Sequence, residues 1–159
     1  YGLGQRLGID TSEASEILDA YFAAFPAVRS FMDDVVKKTK EVGYTETIFG
    51  RRRPIPDLAA SNFRVRQAAE RQAMNAPIQG LAADIFKIAL VGIDRSLNEM
   101  EAQSRLVLQV HDEVILEVHP DEYQDVQQMT VAQMSGGADL RVPLEVNLDT
   151  GPTWAQAKA

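Results

Sequence analysis

Three ionisable side chains, His111, Asp112 and Glu113, interrupt an otherwise apolar stretch between residues 106–110 and 114–118. Both runs are rich in Val, Leu and Ile, so each reads as a buried strand. The short polar break between them reads as the tip of a β-hairpin. A carboxylate there is carried on rigid strands yet stays open to a ligand. Mg²⁺ takes one or two protein carboxylates and keeps its other positions for water and phosphate oxygens, so Asp112 and Glu113 have the chemistry of a divalent-metal site. The competing reading is that Asp and His simply favour turns.

A second constellation lies upstream. Gln67, Arg71, Asn75 and Gln79 are spaced four apart, which on a helix makes them successive neighbours on one face. The stripe has no apolar logic. It is either a solvated surface or a row of neutral and cationic donors. Such donors match the acceptors that every base pair shows in the minor groove, so they grip a duplex without reading its sequence. Arg51, Arg52, Arg53, Arg64 and Arg66 supply candidate phosphate contacts, which fix position but carry no base information.

Charge taken over the whole chain argues against a nucleic-acid partner, since the net value is −7. Its distribution argues otherwise. Residues 37–71 hold nine Lys or Arg against four Asp or Glu, whereas residues 101–159 hold three against ten. A basic block beside an acidic one suits a protein that grips phosphates on one surface and cations on another, although a scatter of solvated charges reads the same way. There is no cysteine, which excludes disulfides and thiolate metal sites. No apolar run approaches the roughly 20 residues of a membrane span, and no signal-peptide pattern is present. With 159 residues, 45% of them hydrophobic, the chain can bury one real core or two small ones. It opens on Tyr1-Gly2-Leu3-Gly4 with no starting Met, which reads as the middle of a longer sequence.

The elements that must position these groups follow from periodicity. Asp10-Thr11-Ser12-Glu13 is a helix-start signal. Ile17, Leu18, Tyr21, Phe22 and Phe25 then recur at helical spacing, a stripe that reads as core. Pro26 ends that helix and opens the next, whose apolar face is Val28, Phe31, Met32, Val35 and Val36, with Gly43 as its C-cap. Residues 44–49 read as a short strand, and 50–57, with two prolines, as an exposed loop. Residues 62–100 form a long helical region that Pro77 should kink or divide. After the hairpin, 121–134 is helical, Ser135-Gly136-Gly137 ends it, and 142–148 reads as a third strand. The fold class expected is α+β, a helical lobe to about residue 65 followed by a lobe on an antiparallel sheet.

These residues also carry a resemblance. The run from Arg71 through Asn75, Pro77 and Gln79 to Gly80, then Ala82-Ala83-Asp84-Ile85 and Lys87, and then Gln109-Val110-His111-Asp112-Glu113, closely resembles the C-terminal part of bacterial family A DNA polymerases. Thr47-Ile48-Phe49-Gly50-Arg51-Arg52 resembles another recurring segment of that family. Tyr1-Gly2 looks like the end of its fingers helix known as motif B. The likeness runs to Trp154 in the same order and spacing.

The resemblance implies part of a right-hand polymerase fold, with 1–65 the C-terminal part of the fingers and 66–159 the C-terminal part of the palm, including the motif C hairpin. It makes Asp112 a metal-binding catalytic carboxylate, Glu113 an auxiliary acid near the metals, and His111 a neighbour of the primer terminus. Arg71, Asn75 and Gln79 become contacts to primer–template from the minor-groove side, with Arg51 and Arg52 as further DNA contacts. Tyr1 falls beside the templating base. The implied cofactor is Mg²⁺, two ions in the complete enzyme. The implied partners are primer–template DNA, dNTPs and an N-terminal part of the same polymerase, in the bacterial cytoplasm with the nucleoid and with no membrane partner. The family's motif A strand, which carries the other catalytic Asp, matches nothing in this chain. Neighbouring residues on a strand point to opposite sides, so Glu113 does not simply replace that Asp, and the chain alone is expected to be inactive.

Two other readings compete. A single-subunit phage-type RNA polymerase shares a related palm and a His-Asp pair, but there Ser is expected in place of Glu113. A non-catalytic DNA-binding module would use the stripe and the Arg loop and leave the His-Asp-Glu tip without a purpose.

Overall fold

Capping chemistry sets where the first long helix begins. In a computed structural model, which describes residues 2–158, helix α1 (Gly2–Leu7) is followed by α2 (Thr11–Ala24). The Asp10 carboxylate accepts from the Glu13 N–H at 2.9 Å and satisfies one of the free donors of the first turn of α2. Pro26 opens α3 (Pro26–Val42), where its missing N–H costs nothing. Gly43 closes that helix with φ +83°, its N–H donating to the Thr39 carbonyl at 2.8 Å. Strands β1 (Tyr44–Glu46) and β2 (Arg52–Pro54) then pair antiparallel, with Thr45 opposite Arg53 and Glu46 opposite Arg52. Part of the segment expected to be an exposed loop is therefore a strand. Pro54 is tolerated because it stands at the end of a two-stranded ribbon, where a donor is dispensable.

Next comes α4, Phe63–Glu99, a single helix of 37 residues with Pro77 inside it. The expected division at Pro77 does not occur. The proline removes one backbone hydrogen bond, and the helix continues through it. By length and composition α4 is also apolar enough to cross a membrane, contrary to the expectation that no stretch comes close. Its buried residues face protein, as in the core helix of a globular fold: Ala69, Ala73 and Ala76 in one cluster, Ile93 and Leu97 in another.

The chain divides into two compact units, Tyr1–Gly80 and Leu81–Ala159. The first unit's core is Val36, Ile55, Leu58, Ala69, Ala73 and Ala76, with Met74 against it. The alanines let α4 come close to its neighbours. The aromatic stripe of α2 and α3 is not part of that core. Ile17, Leu18, Tyr21, Phe25 and Phe31 are all between 41% and 54% exposed, and the one buried residue of α2 is Ala14. Helical spacing shows that these side chains share a face; it does not supply an element to cover it.

In the second unit β3 (Arg105–Val110) and β4 (Glu113–Glu117) form an antiparallel hairpin with an irregularity between Leu106 and Leu108. Helix α5 (Tyr123–Ser135) follows a 3₁₀ turn, and α6 (Trp154–Ala157) closes the unit. Ile93, Leu97 and Val126 form the buried centre, packed by Leu106, Val114, Leu116, Val118, Met129 and Met134. The third strand expected at 142–148 is absent. Leu144, Val146 and Leu148 alternate half-buried with exposed neighbours, as a strand would, but the segment pairs with no other strand among the described residues. Alternation is a property of the segment, whereas a ladder needs a partner at hydrogen-bonding distance.

The two faces of α4 predict contrasting mutants. Ala73→Leu, placed where relative exposure is 0%, should lower stability by about 1–3 kcal/mol through overpacking. Asn75→Ala on the exposed face should change it by less than about 0.5 kcal/mol. Urea-unfolding midpoints of the two variants check this, and equal midpoints would contradict it.

Candidate metal-binding hairpin and nucleic-acid interface

Val110 pairs with Glu113, which leaves His111 and Asp112 as a two-residue hairpin tip. His111 has φ +54°, and Asp112 is not among the residues with positive φ. A tight hairpin loop of this kind normally places Gly at its first central position, so a His there costs on the order of 1 kcal/mol or more. The Gln109 side-chain amide donates to the His111 carbonyl at 2.8 Å and braces the turn. Asp112 is exposed and makes no hydrogen bond or ion pair among the described residues. Glu113 is held differently. Its Oε1 lies 2.5 Å from Lys158 Nζ, which also sits 5.5 Å over the Trp154 ring.

Asp112, Glu113 and the next three residues of β4 line a cleft of about 690 Å³ together with residues of α5, residues 145–151 and residues of α6. Its carboxylates are Asp112, Glu113, Glu145 and Asp149. Among the described residues no group of three His, Cys, Asp or Glu side chains is placed to hold a metal ion. Asp112 and Glu113 are the hard oxygen donors that Mg²⁺ prefers, and they form an incomplete set.

The base of the hairpin depends on Glu122, which sequence reasoning passed over as part of a helix start. Its carboxylate accepts from the Gln103 N–H at 2.8 Å, the Ser104 N–H at 2.9 Å and the Ser104 hydroxyl at 2.5 Å. The Ser104 hydroxyl in turn accepts from the His119 N–H at 2.9 Å. One carboxylate thus ties the entry of β3 to the exit of β4. The Ser104 hydroxyl, and then the two backbone N–H groups, hold Glu122 below the usual carboxylate range. Arg105 and Glu117, opposite each other at the open end, add an exposed ion pair at 2.7 Å. A pair so exposed contributes little.

In the first unit Gln67, Arg71, Asn75 and Gln79 are all exposed; Gln67, Arg71 and Asn75 lie on the side of α4 away from the buried alanines, and Gln79 lies at its flank beside Ala76. The β1–β2 hairpin lies against the end of this stripe. Thr45, Thr47, Arg51, Arg53, Ala76, Gln79 and Gly80 line a cavity of about 260 Å³. A Cβ at Gly80 would come within 2.7 Å of the Thr47 methyl, so glycine is what permits the approach. Strand alternation separates the arginines. Arg51 and Arg53 share the cavity with Gln79, while Arg52 faces the other way. Arg52 Nε donates to Glu46 Oε2 at 2.7 Å, and its guanidinium lies 4.7 Å over the Tyr44 ring. The Glu46 carboxylate raises the Arg52 pKa further. Of the sequence-predicted residues, the fold therefore brings Arg51 and Gln79 together and turns Arg52 away. Arg53 joins them, which the period-two rule would have predicted had 52–54 been recognised as a strand. The His111–Glu113 tip belongs to the other unit, and Tyr1 lies outside the described residues.

Residues 1–156 match the model of DNA polymerase family A, and the chain belongs to that family. It is 50% identical over 157 residues to DNA polymerase I of Mycobacterium tuberculosis, covering 99% of this chain and 17% of that protein. It is 48% identical over 158 residues to DNA polymerase I of Geobacillus stearothermophilus, covering 99% and 18%. A solved structure of the POL domain of Pol1 from M. smegmatis, in complex with DNA primer-template and dNTP, superposes with a TM-score of 0.96 at 45% identity. That match covers 100% of this chain and 28% of the solved one. The chain thus spans less than a fifth of the length of these two relatives.

Glu122 predicts an acid limb of stability. Its folded pKa is depressed, so its contribution is present above the ordinary value of 4.5 and is lost as pH falls through the lower folded value. Glu122→Gln should lower the unfolding midpoint at pH 7 and flatten the pH dependence below about 4.5. Urea titrations at pH 7 and pH 3.5 test it, and an equal loss at both pH values would contradict the assignment.

Proposed function

We propose that this chain is the C-terminal piece of the catalytic domain of a DNA-templated DNA polymerase. In this reading residues 1–65 belong to the fingers and 66–159 to the palm. The observation that carries the reading is Asp112, an exposed carboxylate without a protein partner among the described residues, held at the tip of a braced hairpin in a family A chain. The reaction is attack by a primer 3′-hydroxyl on the α-phosphorus of a dNTP, with pyrophosphate leaving. Two Mg²⁺ ions, when bound, stabilise the attacking and leaving oxygens of such an in-line displacement.

The chain's own residues then have distinct tasks. Asp112 supplies oxygen ligands on a rigid support. Glu113 adds negative charge beside it, tempered by the Lys158 ammonium. His111 stands next to the primer terminus. Arg71, Asn75 and Gln79 donate to minor-groove acceptors that are common to all base pairs, which suits an enzyme indifferent to sequence. Arg51 and Arg53 take phosphates near Gln79. Arg52 is the weakest of the proposed DNA contacts, because Glu46 and Tyr44 already hold its guanidinium. For Tyr1, outside the described residues, the role beside the templating base rests on the family resemblance alone.

A second metal-binding acid has to come from an upstream part of the same polymerase. The cleft between β4 and residues 145–151 supports this, because β4 has one paired edge and the 142–148 segment has none. A strand entering that cleft would pair with both and bring its acid beside Asp112. Location in the bacterial cytoplasm with the nucleoid follows from the same reading. The RNA polymerase alternative is disfavoured by Glu113 at the position where Ser is expected, and by the family match.

Two measurements test this. In the full-length polymerase carrying this chain, Asp112→Asn should slow primer extension with Mg²⁺ and dNTPs by at least about 100-fold, or about 2.7 kcal/mol of barrier. Extension near the wild-type rate would remove Asp112 from the catalytic set. The purified 159-residue chain should incorporate no dNTP on a primer–template. Template-dependent incorporation by it would show that no upstream acid is required.

A further inference from the structure

The chain turns between β1 and β2 through residues 47–50. The Gly50 N–H donates to the Thr47 carbonyl at 2.9 Å, and the Thr47 N–H to the Arg51 carbonyl at 2.9 Å. Gly50 takes φ +83°, and the Arg51 N–H also reaches the Thr47 hydroxyl at 3.2 Å. This well-bonded turn holds Ile48 and Phe49 outward, 71% and 46% exposed. Leaving two large apolar side chains in water forgoes the stabilisation that burying them would give. A tight turn readily accepts polar residues, so turn formation does not explain the choice.

The surroundings narrow the occupant. Directly behind the tip, Arg51 and Arg53 line the cavity shared with Gln79. Gln79 is the end of the exposed stripe that runs back through Asn75 and Arg71 to Gln67. Twelve residues at 1.5 Å rise make that stripe about 18 Å long, the length of roughly five base pairs stacked at 3.4 Å. An apolar, aromatic tip flanked by guanidiniums therefore stands where the duplex-contact stripe ends. Residues 37–71 carry nine cationic side chains against four acidic ones, which matches a polyanion. Single-stranded nucleic acid is bound by this combination of cationic groups along the backbone and aromatic rings under the bases.

Resting on the polymerase reading, we propose that the Ile48–Phe49 tip is a stacking contact for an unpaired template nucleotide next to the end of the duplex, with Arg51 and Arg53 on its phosphates. Every base has a π-face, so the contact is as indifferent to sequence as the minor-groove stripe.

The test is equilibrium DNA binding by the full-length polymerase, as wild type, Phe49→Ala and Phe49→Trp. The probes are a blunt-ended duplex and the same duplex with a 5′ template overhang of about ten nucleotides. Phe49→Ala should weaken binding to the overhang probe by about 5-fold or more, the effect of one lost base–aromatic stack. It should leave the blunt probe unchanged, and Phe49→Trp should keep the wild-type preference. Equal weakening on both probes with a lowered melting temperature overturns the proposal in favour of packing against protein. No change on either probe overturns it outright while the polymerase reading stands. A wild-type enzyme that binds neither probe overturns both readings together.

Discussion

The 3.6-residue period of α4 ties the first core to the polar stripe. Ala69, Ala73 and Ala76 occupy one side of the helix and are buried with Val36, Ile55 and Leu58. Gln67, Arg71 and Asn75 are thereby presented on the other side, with Gln79 at its flank beside Ala76. Small buried residues bring the helix close to its neighbours, and Gly80 extends that closeness to the β1–β2 hairpin, whose Thr47 methyl leaves no room for a Cβ. If the helix rotated, the alanines would lose their contacts and the stripe would lose its direction. The same constraint explains why Pro77 is carried inside α4. A break there would free the stripe's last member, Gln79, from the register of Arg71 and Asn75.

The hairpin of the second unit is anchored away from its chemistry. Glu122 gathers three donors from Gln103 and Ser104 at the base, and Ser104 passes the restraint to His119. The tip is left to carry strain at His111 and an exposed charge at Asp112. Solvent and ligand satisfy an exposed carboxylate at little cost, whereas burial without partners would shift it towards the neutral form. A stiff base with an open tip lets Asp112 be both fixed in position and available. Lys158, stacked over Trp154, pairs with Glu113, so of the two adjacent acids one has a cationic partner.

Much of this was legible in residue types. Asp10, Pro26 and Gly43 marked helix ends because capping chemistry is local, and the two runs around His111–Glu113 marked a hairpin because alternation and turn chemistry agree there. Two of the readings that failed share one reason. The 142–148 segment alternates like a strand but has no ladder partner among the described residues, and the aromatic stripe of α2 and α3 shares a face that nothing in its unit buries. In each case the sequence describes a segment's own tendency, and the outcome depends on what lies opposite.

The sequence by itself determined the family, several helix ends, the hairpin and the identity of the candidate acid, since these rest on residue types at fixed spacing. Tertiary structure alone decided which arginines share a cavity with Gln79, that Glu122 secures the hairpin, and that Lys158 engages Glu113. Those contacts join residues up to 45 positions apart, as Lys158 and Glu113 are. No local pattern encodes them, because they form only when packing of the intervening chain brings distant groups within hydrogen-bonding reach.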